Sequence, residues 1–356
     1  MRVVVVGAGI VGASTAFHLA DADARPDVIV VDRSHPGKAT LAGAGIICPW
    51  PTATTDEELV RLYVAGAHAI PEIVDRLAEL GADSSYRRIG AIALAADDTE
   101  LAAIEGRIAA RSATSPIVGD VQRVDGSEAR RRFPPLRRDL AGIWIEGGAR
   151  LDGRAMAATL LAAAHIDPRP GDVRLVVEGD RARGVVVDGE RIDADAVVVA
   201  AGAWADALLA PHGVTVGVEP QKGQILHLDV GDRLDWPPTD EWPSILPPGP
   251  HYLVPFDGGR VVVGATRETG SGFDTRVTVA GQREVLEAAL LWAPGLADTA
   301  LIETRVGLRP LASTGRPMIG PAPGVEGLLV GTGLGAAGLT IGPLAGRMLA
   351  DQVLAT

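Results

Sequence analysis

Several short runs of this 356-residue chain are apolar at nearly every position rather than at alternate ones. Residues 2–6 (RVVVV), 27–32 (DVIVVD), 196–201 (AVVVAA) and 327–330 (GLLV) are of this kind, and such runs suit parallel strands covered on both faces. Residues 10–22 between the first two read as an Ala-rich helix. The chain therefore opens as strand, Gly turn, helix, strand, a βαβ unit whose crossover should be right-handed. A second helix is predicted from Thr55 to about Leu80, stopping at Gly81; Asp56, Glu57 and Glu58 fill its first turn, where the helix dipole favours negative charge. Further helices are predicted over 97–112, after Asp152, and over 336–354, and a strand over 89–95. The segment 172–204 reads as three strands joined by tight Asp/Gly turns, and 219–230, 251–256 and 260–266 add more strands. Proline crowds 233–250 (Pro237, Pro238, Pro243, Pro247, Pro248, Pro250). This predicts a surface loop able to act as a lid, because proline suits neither a helix interior nor a central strand.

The opening unit carries chemistry. Gly7-Ala8-Gly9-Ile10-Val11-Gly12 is a G-x-G-x-x-G turn between strand and helix. Gly7 permits the tight turn and Gly9 lets backbone approach a pyrophosphate. Gly12 allows close packing of helix on strand, and the helix N-terminus faces the phosphates. Asp32, followed by Arg33, ends the second strand and supplies the carboxylate that accepts a ribose hydroxyl. Dinucleotide binding is the reading favoured over a merely structural turn. A second cluster, Gly331-Thr332-Gly333-Leu334-Gly335-Ala336-Ala337-Gly338, again follows a strand and opens a helix. Its amides could bond a flavin carbonyl and stabilise negative charge there, or it could be only a second closely packed helix start.

Composition narrows the partners. The formal charge of -12 argues against nucleic acid or an anionic membrane as partner, since both require a basic surface. Cys48 is the single cysteine, which rules out an intrachain disulfide and a cysteine metal cage and fits a reducing cytoplasm. Cys48 itself reads as a small buried hydrophobe. The first 24 residues superficially resemble a signal peptide, but the apolar run passes straight into the Gly turn and a second strand follows. No apolar stretch reaches the roughly 20 residues that span a bilayer. No histidine pair has metal-ligand spacing, so no metal is expected, and there is no G-x-S-x-G for hydrolase chemistry. Trp50 and Trp242 are read equally as pocket walls or packing.

The chain resembles the D-amino-acid oxidase / glycine oxidase superfamily of FAD-dependent oxidoreductases. The matching pieces are VVVVGAGIVGASTAFHLA (3–20), AGIICPW (44–50), VVVAAGAWAD (197–206), YLVP (252–255), VVVGATRE (261–268), GLRP (307–310), GRPMIGP (315–321) and GLGAAGLTIGP (333–343). They run in the family's order along almost the whole chain, and glycine oxidase is the nearest in pattern. The resemblance implies an α/β fold: a Rossmann-like FAD-binding domain from 1–83, 142–218 and 306–356, and an α+β substrate domain with a mixed or antiparallel sheet from 84–141 and 219–305. It implies that Gly7, Gly9, Ile10, Val11, Gly12, Asp32 and Arg33 hold the ADP half of FAD. Ala44, Gly45 and Ile46 would run along the flavin, Val173 would meet the adenine, and Ala201 and Gly202 would lie near the phosphates. Gly333, Leu334, Gly335, Ala336, Gly338, Leu339 and Thr340 would wrap the pyrimidine edge of the ring. Asp32 stands where the family more often has Glu, and Leu334 where many relatives have His, so no side-chain role is expected at 334.

Arg309 in GLRP matches the family's carboxylate-binding arginine, and a guanidinium fork does fix the plane of a carboxylate through two parallel hydrogen bonds. Tyr252 in YLVP matches a substrate-side tyrosine. The implied function is oxidative deamination of an amino acid or related amine (a D-amino acid, glycine or an N-methyl amino acid). Hydride would leave the α-carbon for flavin N5, and the imine would then hydrolyse. Oxygen, a quinone or a carrier protein would take the electrons. Two alternatives stand: a flavin oxidase of a 2-hydroxy acid with His251 as base, and a flavin-binding subunit without a substrate. Homo-oligomerisation is left open.

Overall fold

The computed structural model describes residues 1–231 and 236–356. The unbroken valine runs form the centre of a six-stranded sheet in the order Met318–Pro321, Leu328–Thr332, Ala196–Val199, Arg2–Val6, Asp27–Asp32, Arg169–Pro170. Arg2–Val6 pairs in parallel with a strand on each side, Val3 opposite Ala196 and Val28, and Val6 opposite Val199 and Val31. Val3, Val4 and Val5 are fully buried. Burial of each such side chain contributes roughly 1.5–3 kcal/mol, which explains why apolar residues occupy both faces of the strand. Helices Ile10–Asp21, Glu57–Glu79, Gly153–Ala163 and Gly338–Leu354 cover one face. On the other face lies a small antiparallel sheet of Val173–Glu178, Arg181–Val187 and Glu190–Asp193.

The segment 172–204 therefore holds four strands rather than three, because the last two turns, at Asp188–Gly189 and Ala194–Asp195, each close on a strand of only four residues. The long helix starts one residue later than the sequence suggested. Asp56, not Thr55, caps it, its carboxylate accepting from the amides of Glu58 and Leu59, both at 3.1 Å.

A second sheet of nine strands is mostly antiparallel. Its path runs Glu268–Thr269, Val218–Asp229, Arg260–Gly264, Tyr252–Pro255, Ser244–Leu246, Ala91–Ala95, Ala141–Ile145, Val121–Asp125, and Ala300–Ala312 also pairs with Val218–Asp229. Ala141–Ile145 and residues 306–312 thus bond in this sheet, beyond the crossings expected near 142 and 306.

The proline-rich segment is also corrected. Part of it, 233–235, lies outside the described residues. Ser244–Leu246, however, is a central strand, parallel to Ala91–Ala95 and antiparallel to Tyr252–Pro255. Prolines flank this strand and none falls within it. Trp242 and Trp50 are fully buried packing residues, donating through their indole nitrogens to Pro237 O and Ser115 Oγ. Among the described residues, no helix is long and apolar enough to cross a membrane.

Candidate active site

Two glycine-opened helices meet at one cavity. Gly7 has φ of +109°, and a Cβ there would stand 2.4 Å from Ala200 O; a Cβ on Gly12 would fall 1.8 Å from Gly7 O. Only glycine fits either place. The helix that follows, Ile10–Asp21, has Gly9 at its cap with no side-chain acceptor of its own. Its first amides therefore face the cavity, as the N-terminus of a helix must leave them. The amide of Ile10 is taken by Thr40 Oγ1 at 3.0 Å.

The closing helix, Gly338–Leu354, is held against the first by contacts that leave no room for side chains. A Cβ on Gly342 would lie 2.6 Å from Ile10, and one on Gly346 would lie 2.4 Å from Ser14. Ser14 Oγ donates to Pro343 O at 2.7 Å. Both helix N-termini are thereby directed at the same space, and Thr332 Oγ1 ties the second glycine loop to the first half by donating to Gly202 O at 2.8 Å.

The cavity occupies about 1550 Å3. Of the residues expected at the cofactor, Gly7, Gly9, Ile10, Val11, Asp32, Arg33, Ala44, Gly45, Ile46, Val173, Ala201, Gly202, Leu334, Gly335, Ala336, Gly338, Leu339 and Thr340 all line it. Gly12 and Gly333 do not, and act instead by geometry. Gly12 makes room for the turn, and Gly333, at φ +80°, redirects the chain after the strand Leu328–Thr332.

Asp32 accepts from the amides of Ala8 (2.7 Å) and Ser34 (2.6 Å) and from Lys38 Nζ. Burial alone would raise its carboxyl, but Lys38 and those amides outweigh burial and hold it below the usual carboxylate range. Two carboxylate oxygens offer about four acceptor positions, so one remains for a hydroxyl. The cradle thus fits a dinucleotide: free helix amides for a pyrophosphate and an ionised carboxylate for a ribose. Lys38 and Thr40 are functional neighbours that the sequence reading missed; the only signal was their closeness behind Asp32.

At the far wall stand Arg309 and Tyr252. Arg309 lies on Ala300–Ala312, opposite Gln221 in register, and its guanidinium occupies the place where a Cβ on Gly223 would be, 2.5 Å away. Arg309 Nη1 donates to Thr266 O at 3.0 Å. Tyr252 stands opposite Gly264, whose missing Cβ makes room for the phenol in the same way. The Arg309 charge acts on the Tyr252 phenol and favours its ionised form. Burial raises the Tyr252 pKa despite the adjacent cation, so the phenol is protonated at neutral pH. Burial lowers the Arg309 pKa, and among the described residues no carboxylate forms an ion pair with it. A half-buried guanidinium with no carboxylate ion-paired to it, beside a phenol and facing the cavity, is suited to receive an anion.

Other residues complete the wall. His251 lines the cavity, yet its Nε2 is directed at Glu284, 3.9 Å away on an outer helix. Tyr63 and Arg267 line it as well, and neither was picked out in the sequence. His35 stacks on Trp204 with ring centres 4.5 Å apart and planes within 4°. Cys48 is buried and its thiol pKa is pushed up by burial, so no thiolate is present near neutral pH.

Comparison with known proteins agrees with this geometry. The family model described as FAD dependent oxidoreductase matches residues 2–352. A relative in Bacillus subtilis (strain 168), called uncharacterized oxidoreductase YurR, is 43% identical over 99% of this chain and 94% of its own length. Glycine oxidase of Pseudomonas aeruginosa PAO1 is 33% identical over 98% of this chain and 94% of its own. Iminodiacetate oxidase (IdaA) from Chelativorans sp. BNC1 has a crystal structure that superposes with a TM-score of 0.94, at 48% identity, covering 99% of this chain and 95% of that one. With its paired glycine-opened helices and this match along nearly its whole length, the chain belongs to the FAD dependent oxidoreductase family of the D-amino-acid oxidase type.

Proposed function

We propose that this enzyme oxidises an amine bearing a carboxylate (an amino acid or an N-substituted amino acid) at the carbon next to nitrogen. The single observation that carries this reading is the half-buried Arg309 guanidinium on the cavity wall with the Tyr252 phenol beside it and, among the described residues, no carboxylate ion-paired to it. The likeness to glycine oxidase and iminodiacetate oxidase supports it. In this reading Gly7, Gly9, Val11 and Asp32 hold the ADP half of FAD, while the loop Ala44–Ile46 and the segment Leu334–Thr340 hold the flavin. FAD supplies the two-electron acceptor that takes hydride.

The chain's own residues contribute placement. Arg309 offers two parallel donors to the substrate carboxylate, and Tyr252 adds its phenolic proton, so the α-carbon is held in one orientation. As the Cα–H bond breaks, the nitrogen lone pair closes a C=N bond. The imine so formed adds water and splits into a carbonyl compound and the free amine or ammonia. A neutral amine needs no side-chain base for this step.

A 2-hydroxy acid would instead require a base to take the hydroxyl proton as hydride leaves the carbon. His251 is the residue for that role, and the direction of its Nε2 toward Glu284 speaks against it. Incubation of the FAD-loaded enzyme with glycine, N-methylglycine, iminodiacetate, both alanine enantiomers and 2-hydroxy acids, followed by assay for the carbonyl product, tests the reading. Carbonyl product is expected from one or more of the amines. Turnover confined to the hydroxy acids reverses the assignment.

A further inference from the structure

Among the described residues ten large apolar side chains are exposed, and five of them, Val277, Val279, Leu291, Leu301 and Ile302, gather around one helix, Val279–Trp292. Exposed apolar residues scattered singly need no explanation, whereas a gathered set marks a contact surface. The helix rests on the second sheet by one face only. Gly281, Val285, Ala289 and Trp292 are buried, and the last three share a core cluster with Leu226 and Leu228.

The opposite face of the helix carries Val279, Arg283, Glu287 and Leu291, spaced by four residues and so aligned in one row. Val279 is 84% exposed and Leu291 57%. Beside the row, the small side chains of Ala280 and Ala288 leave a shallow groove along the helix. Both ends of the row are extended by more apolar surface. Val277 precedes Val279, and at the other end Leu301 stands opposite Leu228 on the sheet beneath the helix, with Ile302 next to it.

The row reads apolar, basic, acidic, apolar. Turned end for end it reads apolar, acidic, basic, apolar, so it is complementary to itself. A two-fold axis through the middle of the helix sets Arg283 against Glu287 of a second copy, twice, and Val279 against Leu291, twice. The ridge of each helix then has the groove of the other to enter. Within one copy Arg283 and Glu287 meet at 3.7 Å with both side chains exposed. Such a pair is weak and uses little of a guanidinium that offers five donors. A wholly acidic or wholly basic partner would meet one charge of the row and repel the other, whereas a second copy of this chain matches both. We propose that the helix Val279–Trp292 is the contact surface of a symmetric homodimer of this enzyme.

Sedimentation velocity of the FAD-loaded protein over a range of concentrations tests this. The wild type is expected to sediment as a reversible dimer. Arg283→Glu makes both central positions of the row acidic and Glu287→Arg makes both basic. Each variant then faces like charges, and its dimer should dissociate at least about tenfold more readily than that of the wild type. Leu291→Asp, at the outer end of the row, should weaken the dimer by the same order. Mixing Arg283→Glu with Glu287→Arg is the decisive arm, because the acidic row of one meets the basic row of the other. A mixed dimer close to wild-type affinity is expected, which a merely structural effect of either substitution would not produce. The flavin-to-protein ratio, expected at the wild-type value in all three variants, checks that each has folded. A wild type that stays monomeric at every concentration, an oligomer that none of the substitutions weakens, or two charge variants that remain apart when mixed overturns the proposal.

Discussion

Arg309 and Tyr252 owe their positions to glycines on neighbouring strands. Gly223 leaves the space that the guanidinium fills and Gly264 the space for the phenol. The two polar residues were legible in the sequence because each sits in a short motif, GLRP and YLVP. Their glycine partners were not, since nothing in a linear sequence says which strands pair. Arg267 escaped for a related reason: an arginine after a strand reads as a solvated surface charge, and this one is exposed even though it also lines the cavity. Replacing Arg309 by Met should lower kcat/KM for carboxylate-bearing amines at least tenfold, given about 2–5 kcal/mol for removing one partner of a buried charge pair. The FAD content of that variant should be unchanged, because the residue lies outside the nucleotide half; steady-state kinetics with a flavin-to-protein ratio checks both. Gly12→Ala should do the reverse. Its methyl would lie 1.8 Å from Gly7 O, so the turn must open, and purified protein is expected to carry little or no flavin.

Among the elements, the best-read were those whose apolar pattern is unbroken, Asp27–Asp32 above all. Ser244–Leu246 was hidden because the surrounding prolines argue correctly for loop on either side and the strand between them is only three residues long. A longer strand, Val218–Asp229, carries a prediction of its own. His227 on it is 1% exposed and its Nε2 has no hydrogen-bond partner. Burial, then the charges of Arg305 and Arg260, lower its pKa to about 4. The folded protein thus binds this proton more weakly than the unfolded chain, whose histidine titrates near 6.5. The stability involved is fully present above pH 6.5 and is lost as pH falls toward 4. His227→Gln should flatten this part of a pH series of urea denaturation midpoints relative to the wild type. An unchanged slope between pH 6.5 and 4 would show that His227 does not contribute to it.

At the scale of the whole molecule, two ends of the chain meet. The helix that begins at Ile10 and the helix that ends at Leu354 pack through Gly342 and Gly346, so that residues more than three hundred positions apart line one cavity. The sequence revealed both glycine clusters, and the resemblance joined them to one flavin. The exchange of strands between the two sheets, with Ala141–Ile145 and the whole of GLRP in the second, was beyond it, because those strands are chosen by partners distant along the chain. The most direct measurement of the central claim is the absorbance of the FAD-loaded enzyme under anaerobic conditions as carboxylate-bearing amines are added. The expected result is loss of the oxidised flavin band with at least one of them, at a rate that falls sharply in the Arg309→Met variant. A flavin that stays oxidised with every such amine, or one reduced equally fast without the Arg309 guanidinium, would contradict the assignment.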